Sequence, residues 1–159
     1  MAKYAERTEV PTSRSRDEIE RTLTRYGATS FAYGTMATSA TVMFEMKTPA
    51  GIRRVRFFIG LPDRNAREYV FQANGYTRRS ATAAADLYDR ACRQVWRALA
   101  LVVKAKLEAV DAGISTFEEE FLAHIVLPDG STVGENIGPA IARAYDEGTM
   151  PALMPGGGR

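Results

Sequence analysis

Arginine side chains recur on three separate segments in the middle of this 159-residue chain, and their chemistry suits contact with phosphate groups. A guanidinium group donates two parallel hydrogen bonds to a phosphate and also stacks on bases, whereas a surface that is merely soluble has no such preference for arginine. We predict that these segments grip the phosphate backbone of a nucleic acid with weak sequence preference. The predicted binding residues are Arg53, Arg54, Arg56, Arg78, Arg79, Arg90, Arg93, Arg97 and Lys104.

Opposite charges are segregated along the chain, although the net charge is only +2. Residues 47–106 carry 13 basic and 4 acidic side chains, a net charge of +9, and residues 107–159 carry 2 basic and 9 acidic ones, a net charge of −7. Two interpretations follow. The basic region contacts a polyanion, or it pairs with the acidic end, either within one molecule or in a neighbouring subunit of a symmetric homo-oligomer. Tyr69, Phe71 and Tyr76 lie between basic positions, where they are suited to stack on unpaired bases.

A third hypothesis is a magnesium-dependent nuclease of the PD-(D/E)XK type, and it rests on Glu45 and Lys47. In such a site carboxylates hold the metal while the lysine steadies the attacking water. Residues 45–47 fit the Glu-x-Lys half of the motif, but no Pro-Asp pair precedes them. Because a three-residue match on an alternating strand often arises by chance, a solvated strand face is the simpler interpretation.

The other reactive residue types do not form a recognisable catalytic or metal-binding set. A single cysteine, Cys92, and a single histidine, His124, exclude the familiar Cys/His zinc sites. We predict that Cys92 is a small buried hydrophobe, that His124 is a packed or capping group, and that Trp96 lies in the core. The acidic residues 118–120 are interpreted as a solvated face, or secondarily as partners for a neighbouring subunit. We expect no metal or cofactor and favour a non-catalytic protein.

Hydrophobic periodicity and turn residues predict the elements that position these residues. Residues 1–14 are expected to be a mobile or extended arm, followed by a helix at 15–26. Strands are predicted at 29–35, 40–47 and 52–60, and the long connection 61–79 includes a short additional strand near 69–71.

The strongest predicted element is a helix over about 81–112 that ends at Gly113. Its segment 98–103 is apolar on every side and is expected to be buried almost all round. The remaining elements are a short helix at 116–123, a hairpin that closes at Thr132 and Val133, and a final helix from Gly138 to about Tyr145.

Together these elements predict a single α+β domain over residues 15–150 with a flexible tail at 151–159. It comprises an N-terminal helix, a three- or four-stranded antiparallel sheet, a long packed helix and a small C-terminal helical and hairpin segment. Double-stranded RNA-binding domains, the core of annealing proteins and PD-(D/E)XK nucleases share the order helix, strands, helix. Because no run of about 18 apolar residues occurs and the N-terminus is too charged for a secretory signal, we expect a cytoplasmic protein that does not enter membranes.

Several stretches resemble small uncharacterised proteins of bacteriophage and prophage genomes. They are residues 14–28, RSRDEIERTLTRYGA; 91–99, ACRQVWRAL; 104–110, KAKLEAV; 117–130, FEEEFLAHIVLPDG; and 150–153, MPAL. The resemblance covers most of the chain and implies no activity. It implies a setting in the host cell cytoplasm where small DNA-handling proteins are common, so we expect DNA rather than RNA as the nucleic-acid partner.

Overall fold

The chain forms an α+β structure in which two helices cover one face of a three-stranded sheet. The computed structural model describes the backbone of residues 3–149 and the side chains of residues 12–149. The elements are α1 (Lys3–Arg25), β1 (Ala28–Thr35), β2 (Ser39–Thr48), β3 (Gly51–Gly60), α2 (Arg67–Val70), α3 (Ala81–Asp111), α4 (Phe117–Phe121), a 3-10 turn (Leu122–His124) and α5 (Val133–Glu147). The α+β class and the order of the main elements are as predicted.

The three predicted strands are confirmed and form an antiparallel meander in the order β1-β2-β3. The alternation in the sequence of β2 matches the observed burial pattern, in which every second side chain, including Val42, is buried. Val42 pairs with Tyr33 of β1 and with Phe57 of β3. The predicted C-terminal hairpin is also present. Ile125 of this hairpin forms a single antiparallel β-bridge with Val55 at the outer edge of β3.

Helices α1 and α3 lie side by side on the sheet and run in the same direction. At one end Arg14 of α1 lines a groove with Arg97 of α3, and at the other end Tyr26, directly after α1, lines an opening with Leu107 and Val110 of α3. Between these ends the two helices and the sheet enclose the core, where each fully buried large apolar side chain contributes about 1.5–3 kcal/mol relative to exposure. The largest buried side chains are Trp96, Phe44, Phe121, Ile19, Leu23, Val42, Val55 and Val103.

The long helix α3 begins and ends where the sequence predicts. The Ser80 hydroxyl accepts a hydrogen bond from the Ala83 N–H at 3.2 Å, and Gly113 adopts a φ of +72°. The N–H groups of Gly113 and Ile114 donate to the carbonyls of Val110 and Ala109. This is a Schellman ending, which satisfies the last carbonyls of the helix and favours glycine at the left-handed position.

The prediction that the segment 98–103 is buried almost all round is wrong. Leu101 and Val102 are 56% and 43% exposed, while Leu99, Ala100 and Val103 face the core. The sheet and α1 cover only one side of α3, so the opposite side of this apolar segment faces solvent.

Three element boundaries differ from the sequence predictions. Helix α1 begins at Lys3 rather than near residue 15, so most of the segment assigned to an arm lies in the helix, and its mobility stays a prediction. Residues 67–70 form the short helix α2 instead of a strand, and Phe71 makes only one bridge, to Arg78. Helix α5 begins at Val133, well before the predicted start, because Thr132 and Glu135 form a capping box.

Within residues 3–149, no helix is long and apolar enough to cross a bilayer. The predicted flexible tail, residues 151–159, lies outside the described residues.

Candidate nucleic-acid interface

The nine predicted binding residues do not form one surface. The structure divides them into three groups: the arginines of β3, the pair in the loop before α3, and the row along α3 itself.

The three arginines of β3 are paired with carboxylates of the same molecule. Arg54 Nη2 lies 2.7 Å from Glu45 Oε1 on the neighbouring strand, which is the pairing that the register of β2 and β3 dictates. The other two pairs reach the acidic C-terminal part of the chain. They are Arg53 with Glu118 at 3.2 Å and Arg56 with Glu135 at 2.9 Å. In β3, pairing between the basic middle and the acidic end therefore occurs inside one molecule.

Two of these carboxylates, those of Glu45 and Glu135, have a lowered pKa. The hydrogen bonds from Arg54 hold the pKa of Glu45 below its ordinary value. The pKa of Glu135 is lowered first by the backbone N–H of Thr132 and further by the charge of Arg56. Because an engaged guanidinium must give up its partner to accept a phosphate, the β3 arginines are weaker candidates than unpaired ones.

Arg78 and Arg79 belong to the loop before α3, which packs against the side of α3 that carries Tyr88 and Cys92. The Arg78 guanidinium lies 5.6 Å from the centre of the Phe71 ring. Arg79 Nε is buried and has no hydrogen-bond partner among the described residues. The same loop buries Tyr69 edge-on against Tyr88 of α3, so Tyr69 is not available to stack on a base. Tyr76 at the tip of the loop is 87% exposed.

The α3 row lines an open groove between α1 and α3. The groove has a volume of about 330 Å³. Its charged lining is four arginines and a single acid, Glu18, which gives a local charge of +3. None of the four arginines forms an ion pair with any carboxylate of residues 12–149. The lining residues are Arg14, Ser15, Glu18, Arg90, Arg93, Gln94 and Arg97.

Helical geometry places this row in the groove. Arg90, Arg93 and Arg97 are three and four residues apart, so they share one face of α3. Trp96 points to the core, where it is 2% exposed, and thereby fixes the rotation of the helix. Lys104 continues the row two turns beyond Arg97, about 10 Å along the axis, and is exposed.

Arg14 is the groove residue that sequence reasoning missed. The prediction of an arm at residues 1–14 leaves Arg14 outside any predicted element. Extension of the first helix by one turn would have placed Arg14 on the same face as Glu18, four residues later. The neighbouring Arg16 is engaged differently, because its guanidinium lies 4.5 Å from the centre of the Tyr33 ring and 5.7 Å from that of Trp96.

The remaining candidates serve structural roles. The His124 ring stacks on Phe57 with centres 4.0 Å apart, and burial lowers its pKa, so the prediction of a packed histidine is confirmed. Cys92 is buried, as predicted, and Trp96 is core. The acidic residues 118–120 are not simply a solvated face. Glu118 binds Arg53 and Thr48, and Glu119 caps α4. Glu120 binds Lys106 and Ser115.

The Glu45 carboxylate of the nuclease hypothesis is occupied by Arg54, which donates from Nε and Nη2 at 3.0 and 2.7 Å. Lys47 is exposed. Among the described residues no group of three or more His, Cys, Asp or Glu side chains is arranged to hold a metal ion. No observation here favours the nuclease over the other hypotheses.

A second opening, of about 430 Å³, lies at the end of the sheet near the β2–β3 turn. Its floor is apolar and includes Met46, Leu107 and Phe117, and its rim carries Lys47 and Asp111. Its charged lining is one basic residue, Lys47, and two acidic ones, Asp111 and Glu118, whereas the α1–α3 groove carries a net charge of +3. The α1–α3 groove is therefore the better candidate for contact with a polyanion.

Comparison with known proteins finds no match of this chain to a protein-family model, to a curated protein or to a solved structure.

Proposed function

We propose that this protein binds nucleic acid without catalysing a reaction, and that it holds the phosphate backbone in the groove between α1 and α3. The observation that carries the proposal is the set of four arginines, Arg14, Arg90, Arg93 and Arg97, which line one open groove without ion-pair partners among residues 12–149. Keeping four like charges together costs electrostatic free energy. A function that needs an anion accounts for that cost.

The length of the row fits a polymer. Arg90 and Lys104 are 14 residues apart on α3, so the row is about 21 Å long. Double-stranded DNA carries about one negative charge per 1.7 Å of its axis, so a row of this length meets several phosphates. Because contacts to phosphates carry no sequence information, binding through the backbone alone has weak sequence preference.

The proposal names DNA ahead of RNA because of the resemblance to phage proteins, in whose setting small DNA-handling proteins are common. Parallel titrations with DNA and RNA of the same sequence test this choice, and preferential binding of RNA would reverse it.

The test is fluorescence anisotropy with labelled single- and double-stranded oligonucleotides over a series of salt concentrations. We expect log K to fall linearly with log salt. Replacing one contacting arginine, as in Arg97→Gln, should reduce the steepness by about 0.7 on single strands and about 0.9 on duplexes. Negligible affinity at about 50 mM salt for every oligonucleotide would overturn the proposal.

Two control variants test whether binding depends on the groove arginines or on positive charge anywhere on the protein. Arg143→Gln removes an exposed arginine of α5 that has no ion pair among residues 12–149. Arg54→Gln removes one that is paired with Glu45. Both should bind almost as well as the unmodified protein, whereas Arg93→Gln and Arg97→Gln should bind more weakly. Equal losses in all four variants would show that the groove has no special role.

A further inference from the structure

The opening near the β2–β3 turn gives access to one end of the hydrophobic core. Met46, Leu107 and Phe117 form its floor and are 5%, 2% and 5% exposed. Tyr26, directly after α1, and Val110 of α3 also line it. The α1–α3 groove differs, because no apolar residue is part of its lining. The opening can therefore remove an apolar group from water, which the groove cannot do.

Hydrogen bonds and an ion pair hold the β2–β3 turn against α4 beside this opening. The Thr48 hydroxyl lies 2.9 Å from Glu118 Oε1 and 2.9 Å from the Gly51 carbonyl oxygen. Arg53 Nε lies 3.2 Å from the same Glu118 oxygen and neutralises the charge of this carboxylate. Because these contacts fix the wall before a ligand arrives, binding orders few additional groups, and this lowers its conformational cost.

The charge that remains at the rim is negative. Asp111, the last residue of α3, is exposed and has no ion-pair partner in the part of the chain whose side chains the structure describes. Lys47 also borders the opening, but alternation along β2 directs its side chain to the sheet face opposite Met46. A cation that enters the opening therefore finds an unpaired carboxylate at its edge.

The Tyr26 hydroxyl responds to the same negative field. Glu108 raises its pKa most, burial raises it further, and Asp111 adds a smaller rise. The positive charge of Arg25 lowers this pKa but does not cancel the other effects. Two carboxylates of α3 thus act on the side of the opening that Tyr26 lines, where they stabilise a positive charge.

We infer that this opening binds a small organic cation with an apolar body, such as an aromatic or aliphatic amine. The apolar body lies on Met46, Leu107 and Phe117, and the ammonium group lies at the rim beside Asp111. An anion of the same shape binds less well because it brings a second negative charge towards Asp111. The inference goes beyond the proposed function, because it concerns a different ligand and an opening at the other end of α1.

The test compares three probes that share a phenyl ring on a short chain and differ in charge: phenethylamine, phenethyl alcohol and hydrocinnamate. Backbone amide NMR spectra of the full chain, recorded as each probe is added to millimolar concentrations, locate the probe and measure its affinity. We expect shifts in the amide signals of the lining residues. Phenethylamine should bind about fivefold more tightly than the alcohol, as for an exposed ion pair, and hydrocinnamate should bind most weakly.

Asp111→Asn tests the origin of this charge preference. It removes the carboxylate at an exposed position, so the fold is retained, and the variant should bind phenethylamine and the alcohol equally well. Asp146→Asn is the matched control, because it removes an exposed acid of α5 instead, and it should keep the preference for the amine.

Three results would overturn the inference. They are no shifts at the lining residues with any probe, equal affinities of the unmodified protein for all three probes, and an Asp111→Asn protein that is as selective as the unmodified one. None of these outcomes bears on whether the groove binds an oligonucleotide.

Discussion

Arg56 of β3 and Glu135 of α5 are 79 residues apart in the sequence and form an ion pair of 2.9 Å. The same Glu135 carboxylate accepts the Thr132 N–H at 2.7 Å, which completes the capping box of α5. Arg56 also donates to the Gly130 carbonyl at 2.9 Å. The Glu135 carboxylate thus joins the start of α5 to the sheet. Arg56, which the sequence predicts to bind phosphate, stabilises this contact between α5 and β3.

The two roles of Glu135 predict the order of thermal stability of its variants. Glu135→Gln keeps an acceptor for the Thr132 N–H but loses the charge, whereas Glu135→Ala loses both interactions. We expect the thermal midpoint to fall slightly for the first variant and further for the second. Thermal denaturation followed by circular dichroism measures the order, and equal midpoints for the two variants would contradict the role of the cap.

Gly134 in the first turn of α5 allows a close approach to the 3-10 turn. A Cβ atom at this position would lie 2.8 Å from the Ala123 carbonyl oxygen, which is backbone and cannot move alone. Gly134→Ala should therefore cost about 1–3 kcal/mol in urea denaturation. Gly34→Ala serves as the control because nothing lies within 4 Å of its Cβ. A Gly134→Ala protein as stable as the control variant would show that α5 shifts freely.

His124 predicts a dependence of stability on pH. Burial, with a smaller effect of the Lys106 charge, holds its pKa below the ordinary value of 6.5. As the pH falls through about 6.5, the unfolded chain takes up a proton that the folded chain does not, so the free energy of unfolding decreases. This loss should continue down to the pKa of the folded state. We therefore expect lower stability at about pH 5.5 than at about pH 7.5.

A His124→Gln variant isolates this contribution, because glutamine is polar and of similar length but does not titrate in this range. Urea denaturation at both pH values should show a smaller difference for the variant. A difference as large as that of the unmodified protein would assign the pH dependence to other groups.

The buried environment of Cys92 predicts how fast its thiol reacts. Burial raises its pKa, and the side chain packs with Tyr69 and Tyr88 between α3 and the preceding loop. Because the thiolate is the reactive form, we expect slow modification by a thiol reagent at about pH 8 in the folded protein and fast modification in urea. Absorbance of the released thiolate follows the reaction, and rapid modification without urea would show that the loop opens readily.

Local features of the fold could be predicted from the sequence because their causes are local. Ser80 and Gly113 mark the two ends of α3, and alternation marks the buried side of β2. Errors arose where local signals were weak or where packing decided the outcome. The start of α1 lies upstream of its apolar residues, and the capping box at Thr132 begins α5 before its proline.

Hydrophobic periodicity, turn residues and composition are sufficient to predict the α+β class, the long helix, the strand meander and the segregation of charge. Which arginines of residues 12–149 form ion pairs depends instead on tertiary packing. Arg56 is paired with an acid that lies 79 residues away, whereas Arg97 lies beside Arg14, 83 residues earlier, in an open groove. The physical reason is the range of the interactions: caps and periodicity act over a few residues, while an ion pair requires two side chains within about 4 Å, and only the packed chain sets that distance.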